Sequence, residues 1–244
     1  MSYKTGLVSI SFRKNSPEEI LQAMNKCDLK YIEWGSDVHC PPEKAKEIAA
    51  LQNKFNIKCC SYGTYFRLGV TPIAELKSYI DGAKALGTNI LRLWCGDKNS
   101  QDYSETEKAA LFSECRAAER VARENGVILC MECHNNTFTN TKESAYQLMQ
   151  SVNSKHFAMY WQPNQFKSVE ENIAYATLLS DYTHVIHVFN WKGTEKYPLG
   201  DAVDVWQKYL ECFEGEMTLL LEFMPDNRID SLKTEADALK EIVK

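Results

Sequence analysis

Hydrophobic and polar positions alternate along the chain in one repeating rhythm. Short apolar runs rich in β-formers are each followed by a longer stretch with helical spacing. Eight runs read as strands: Leu7–Phe12, Tyr31–Trp34, Ile57–Tyr62, Ile90–Trp94, Val127–Cys133, Phe157–Gln162, His184–Phe189 and Thr218–Phe223. Strict β/α alternation predicts a parallel sheet with right-handed crossovers. Helix starts are punctuated by Ser16-Pro17-Glu18-Glu19, by Ser104 with Glu107, and by Ser168 with Glu171, all capping-box patterns. Pro41-Pro42 and Pro72 precede two further helices, and Gly87 closes the third. No linker or low-complexity tract interrupts residues 1–244, so the expectation is one domain.

Eight units in 244 residues suit a closed (β/α)8 TIM barrel. An open doubly wound sheet is the competing arrangement. Its Gly-rich phosphate loop is missing after the first strand, where the chain reads Ser11-Phe12-Arg13-Lys14-Asn15-Ser16.

Barrel enzymes place their chemistry at the C-terminal ends of the strands. Polar residues late in apolar strands are therefore informative, because a buried charge needs a partner, a metal or a shifted pKa. The fifth strand ends Met131-Glu132-Cys133-His134, with Glu132 and His134 on one face. The eighth sets Glu222 after three leucines, and the seventh carries His187 among apolar neighbours. The sixth ends in Gln162, and the fourth holds Arg92. Singly, His187 reads as a core histidine as readily as a ligand, and Arg92 as an ion-pair partner as readily as a substrate contact. Glu33, in Ile32-Glu33-Trp34, reads as structural rather than catalytic. Together these residues converge on one rim.

Charge and cysteine content narrow the classes. The formal net charge is −5, which offers no electrostatic footprint for nucleic acid or an anionic membrane. No apolar run of transmembrane length occurs, and MSYKTGLVSISFRKN lacks a signal-peptide core. Nine cysteines, an odd number, predict reduced thiols and a cytoplasmic protein. The Cys130/Cys133 spacing resembles a metal knuckle, but odd separation on a strand turns the two thiols to opposite faces.

The segments IEWGSDVH (32–39), SYGTYFRLG (61–69), ILRLWCG (90–96), MECHNNTFTNT (131–141), YWQPNQ (160–165), HVFNW (187–191) and LLLEF (219–223) appear in this order. In this the chain resembles the xylose isomerase-like superfamily of TIM barrels. That group holds sugar-phosphate isomerases, ketose 3-epimerases, hydroxypyruvate isomerases, inosose dehydratases and, more distantly, endonuclease IV. The resemblance implies a divalent ion, Mn²⁺, Mg²⁺ or Zn²⁺, held by Glu132, Gln162, His187 and Glu222. The sixth-strand position departs from the epimerase pattern, since Gln162 stands where an Asp is usual. It also implies a sugar or sugar phosphate substrate, with Glu132 and Glu222 as the acid/base pair for proton abstraction through an enediolate. His39, Arg92, His134, Arg13, Lys192 and Trp191 are the candidate substrate contacts, and a homo-oligomer is in keeping with the group. An inosose dehydratase-like lyase and a degenerate sugar-binding barrel are the alternatives. An endonuclease IV-like nuclease is disfavoured by the acidic charge and by only five histidines.

Overall fold

A computed structural model describes residues 2–244. Eight parallel strands close into a barrel: β1 (Ser2–Val8), β2 (Tyr31–Gly35), β3 (Lys58–Leu68), β4 (Ile90–Cys95), β5 (Ile128–Glu132), β6 (Phe157–Trp161), β7 (Thr183–Val188) and β10 (Glu216–Leu221). They follow one another around the wall, and β1 pairs with both β2 and β10 to seal it. Outside run α1 (Pro17–Lys26), α2 (Ala45–Lys54), α3 (Leu76–Leu86), α4 (Glu105–Asn125), α5 (Lys142–Val152), α6 (Val169–Leu179), α7 (Val203–Leu210) and α8 (Leu232–Ile242). A small antiparallel hairpin, β8 (Trp191–Lys192) and β9 (Glu195–Lys196), rises from the loop after β7. This is the (β/α)8 TIM barrel that the alternating pattern predicts. No helix of the described residues is long and apolar enough to cross a membrane.

Local chemistry sets the helix starts. Ser16, Ser104 and Ser168 each accept from the backbone N–H three residues on, and the Glu at that position returns a bond to the cap. Each such cap is worth about 1 kcal/mol. Gly87 ends α3 at φ +83°, a conformation that costs glycine nothing.

Strand alternation sorts the side chains into two layers. Leu129, Met131, Ile186, Leu219 and Leu221 pack outward into the large core under the helices. Val8, Cys130, Ala158, Tyr160, Val185 and Leu220 form a smaller inner cluster. The Cys130/Cys133 pair is thereby split, Cys130 in the inner cluster and Cys133 in the outer core. Continuing the inner face upward from the inner cluster leads to Glu132, Gln162, His187 and Glu222 at the top of the barrel.

Two strand boundaries differ from expectation. β1 spans Ser2–Val8, and Ser9–Phe12 forms a 3₁₀ turn. Ser2 to Leu7 pair residue by residue with Glu216 to Leu221, so the ladder recruits polar residues that hydropathy passes over. In the turn, Ser9 Oγ accepts from Gly35 N–H and Ser11 Oγ from Phe223 N–H, each at 2.9 Å. β3 runs on to Leu68 through a register shift between Gly63 and Arg67. Such irregularities gather at barrel rims.

Candidate active site

The mouth of the barrel is a small cleft, with a cavity volume of about 100 Å³ that opens to solvent. Glu132, Gln162 and Glu222 reach it from strand ends, and His134, Trp191 and Phe223 form part of its wall. Beneath it, His187 is fully buried.

His187 is the centre of the arrangement. Its Nδ1 lies 3.5 Å from Glu222 Oε2, 3.7 Å from Glu132 Oε1 and 3.0 Å from Gln162 Oε1. One donor atom each from Glu132, His187 and Glu222 falls within 4.8 Å of the other two. Gln162 is fixed by its own amide, which donates to the Cys133 carbonyl at 3.1 Å and so turns its oxygen toward His187. Ligand atoms around a tetrahedral cation with bonds of 2.0–2.2 Å stand about 3.4 Å apart. The 3.5 and 3.7 Å separations match that spacing. Two carboxylates, an imidazole nitrogen and an amide oxygen form a mixed set suited to a hard or borderline divalent ion.

The two acids sit in unlike surroundings. Glu132 accepts from Arg92 Nη1 at 2.6 Å and from the Trp94 indole N–H. Burial pushes its pKa up, but the charges of Arg92 and His187 outweigh that and hold the carboxyl below its usual range. Glu222 has no such clamp. Burial raises it, Glu132 and Glu33 raise it further, and the nearby cations do not offset them. Burial opposes the His187 imidazolium, yet Glu222, Glu33 and Glu132 together lift its pKa to about 8. For Arg92, burial is overcome by Glu132, Glu33 and Glu222, which keep the guanidinium charged.

The model of the xylose isomerase-like TIM barrel family matches residues 21–242. The chain belongs to that family. A 3-dehydroshikimate dehydratase from Bacillus anthracis is 23% identical, over 97% of this chain and 96% of its own. Two solved structures share the fold. The probable 3-DHS dehydratase AsbF of petrobactin synthesis, also from Bacillus anthracis, superposes with a TM-score of 0.82 at 18% identity, covering 98% of this chain and 99% of its own. The IolI protein, solved with a bound zinc atom, gives 0.75 at 17% identity, with 98% and 96% covered.

The remaining residues singled out in the sequence divide. His134 lines the cleft, its ring stacked on Trp94 at 5.1 Å, and Trp191 packs between Phe189 and Phe223. Arg92 lies under the floor at 2% exposure, bound to two glutamates, and does not line the cleft. His39 is buried in the loop after β2, with its ring nitrogens on Ser9 Oγ and the Asn15 carbonyl. Arg13 is paired with Asp37 and donates to Tyr65 at 3.3 Å. Lys192 is exposed on the hairpin, beside a neighbouring groove. The cleft also draws on Asn135, Asn140, Gln165 and Tyr175, which the strand-end search does not reach. Asn135 and Asn140 belong to the polar run NNTFTN after β5, whose composition is their only signal in the sequence. Glu33, read as structural, lies directly beneath His187, with Oε2 3.7 Å from its Nε2.

Proposed function

We propose that this barrel is a metal-dependent sugar or sugar-phosphate isomerase or epimerase, acting by proton abstraction next to a carbonyl. The reading is carried by the convergence of Glu132, His187 Nδ1 and Glu222 within 4.8 Å at the mouth. A divalent cation held there, Mn²⁺, Mg²⁺ or Zn²⁺, would polarise the substrate carbonyl and offset the charge of an enediolate. Gln162 completes the donor set with a neutral oxygen.

Within this scheme Glu222 moves the proton. Arg92 and the Trp94 indole pin Glu132, whereas neither clamps Glu222, which leaves Glu222 the freer of the two to carry a proton. It takes a proton from the carbon beside the carbonyl, and the electron pair passes to the carbonyl oxygen. Return of a proton to the neighbouring carbon isomerises the sugar, and return to the opposite face of the same carbon epimerises it. Glu132 serves as the partner acid/base. His134 and Trp191 border the space for the substrate hydroxyls and ring face.

A second reading has its own support in the dehydratase relative, which matches nearly end to end. The same enolate would then expel a β-hydroxyl as water. One experiment separates the outcomes. The protein, with each metal added in turn, is incubated in D₂O with ketoses, their phosphates and 3-dehydroshikimate, followed by proton NMR and near-ultraviolet absorbance. Deuterium entering beside the carbonyl with a new isomer or epimer supports the first reading. An unsaturated product supports the second. Stoichiometric metal with no exchange on any compound defeats both. A protein that retains no metal and shows no thermal shift with Mn²⁺, Mg²⁺ or Zn²⁺ supports a sugar-binding barrel without catalysis.

A further inference from the structure

Glu33 is the most deeply placed acid in the barrel, at 0% exposure. Its carboxylate is saturated on three sides. Arg92 Nε donates to Oε1 at 2.9 Å, Ser61 Oγ to Oε2 at 3.0 Å, and Tyr160 OH to Oε2 at 2.6 Å. On the fourth side stands His187 Nε2, 3.7 Å from Oε2, buried and without a hydrogen-bond partner. The fold makes room for this group at a specific point. A Cβ on Gly63 would lie 2.4 Å from Glu33 Oε1 and 2.9 Å from Arg92 Nη2, so a side chain there would displace the pair.

A carboxylate only accepts hydrogen bonds, so the favourable face of His187 toward Glu33 is Nε2–H. In the metal-free protein Nδ1–H donates to Gln162 Oε1 at 3.0 Å. Once a cation displaces that proton, the Nδ1 lone pair serves the cluster of Glu132, Gln162 and Glu222 while Nε2 keeps its hydrogen toward Glu33. Glu33 also acts through Arg92. One arm of the guanidinium holds Glu33 and the other grips Glu132 Oε2, which leaves Glu132 Oε1 on the His187 side. We propose that Glu33 is a positioning residue: it sets the tautomer of His187 directly and the rotation of Glu132 through Arg92, so that both present their donor atoms to one cation. The inference rests on the metal-dependent reading above. Glu33 does not line the cleft and meets no substrate.

The test uses the full-length protein with Zn²⁺ as probe. Long-range ¹⁵N–¹H NMR of the wild type reports the His187 tautomer, and competition with a chelating dye gives the zinc Kd. Zinc on Nδ1 with hydrogen on Nε2 is expected in the wild type. Glu33→Gln, which keeps the shape and drops the charge, is expected to bind zinc 10–100-fold more weakly with an unchanged circular dichroism spectrum. Gly63→Ala should weaken zinc in the same direction, and Lys54→Gln, exposed at the end of α2, should leave the Kd as it is. A zinc Kd in Glu33→Gln within twofold of wild type overturns the inference, as does zinc on Nε2 in the wild type. The wild-type spectrum decides the matter even where Glu33→Gln does not fold. Absence of any zinc binding by the wild type would instead sink the metal-dependent reading, and this inference with it.

Discussion

Arg92→Met removes the guanidinium that bridges two buried glutamates. In the native protein Nε reaches Glu33 at 2.9 Å and Nη1 reaches Glu132 at 2.6 Å. Met matches the length of the aliphatic stem, so the loss is chiefly of charge and hydrogen bonds. Breaking a buried pair from one side costs about 3–5 kcal/mol, because the remaining charge stays buried and unpaired. Two carboxylates are stranded here, but Ser61, Tyr160 and Trp94 still donate to them, which holds the loss to that range. In a domain of this size 1 kcal/mol shifts Tm by about 2–4 °C, so Tm should fall by roughly 6–20 °C. Urea unfolding of the metal-free protein, followed by circular dichroism, measures the loss directly. Combining Arg92→Met with Glu132→Gln should recover part of it, because the second change removes one stranded charge. A metal-free Arg92→Met within 1 kcal/mol of wild type, or a strictly additive double variant, would refute the reasoning.

The unlike settings of the two acids predict unlike variants. Glu222→Gln should lower turnover at least 100-fold and leave urea stability equal or higher, since a carboxyl raised by burial is replaced by a neutral group. Glu132→Gln should lower turnover as far and also destabilise, because Arg92 and Trp94 lose a charged acceptor. For the metal-free protein, stability should fall as pH rises. The folded-state pKa of His187, about 8, lies above its ordinary value, so its contribution is complete below about 6.5 and is lost as pH passes 8. A rise of that size corresponds to about 2 kcal/mol, which denaturation at pH 6 and pH 9 would reveal and His187→Gln would remove. Ser11→Ala strands the Phe223 N–H at a residue already held at φ +53°. It should cost about 1–3 kcal/mol in urea unfolding and loosen the wall of the cleft.

Much of this could be read from the sequence because a strand repeats every two residues. Once Cys130 is inward, Glu132 must be, and the same parity carries Val185 to His187 and Leu220 to Glu222. What parity cannot give is the partner across the barrel. Arg92 looks like a substrate contact until its distances to Glu33 and Glu132 are known, since the three residues are separated by 59 and 40 positions. Loop residues are harder still. His39 and Arg13 lie beyond any period, and their hydrogen bonds to Ser9, Asn15, Asp37 and Tyr65 follow from how two connections pack together. β1 is misjudged for a related reason, because its polar half is a strand only by virtue of pairing with β10.

The hairpin over the mouth consists of just two residue pairs, Trp191 with Lys196 and Lys192 with Glu195. A ribbon that short has almost no stability of its own. It is held down by Trp191 wedged between Phe189 and Phe223, and by Lys196, which lies over the rings of Trp191 and Phe223 and donates to Asn227. One side of the cleft is therefore fastened by aromatic contacts and a few hydrogen bonds, among them Gly193 N–H to the Gln165 carbonyl, while the strands beneath are locked into an unbroken ring. Backbone amides of the ribbon should trade hydrogen for deuterium long before those of β5 or β7, and a visiting molecule meets its softest resistance there.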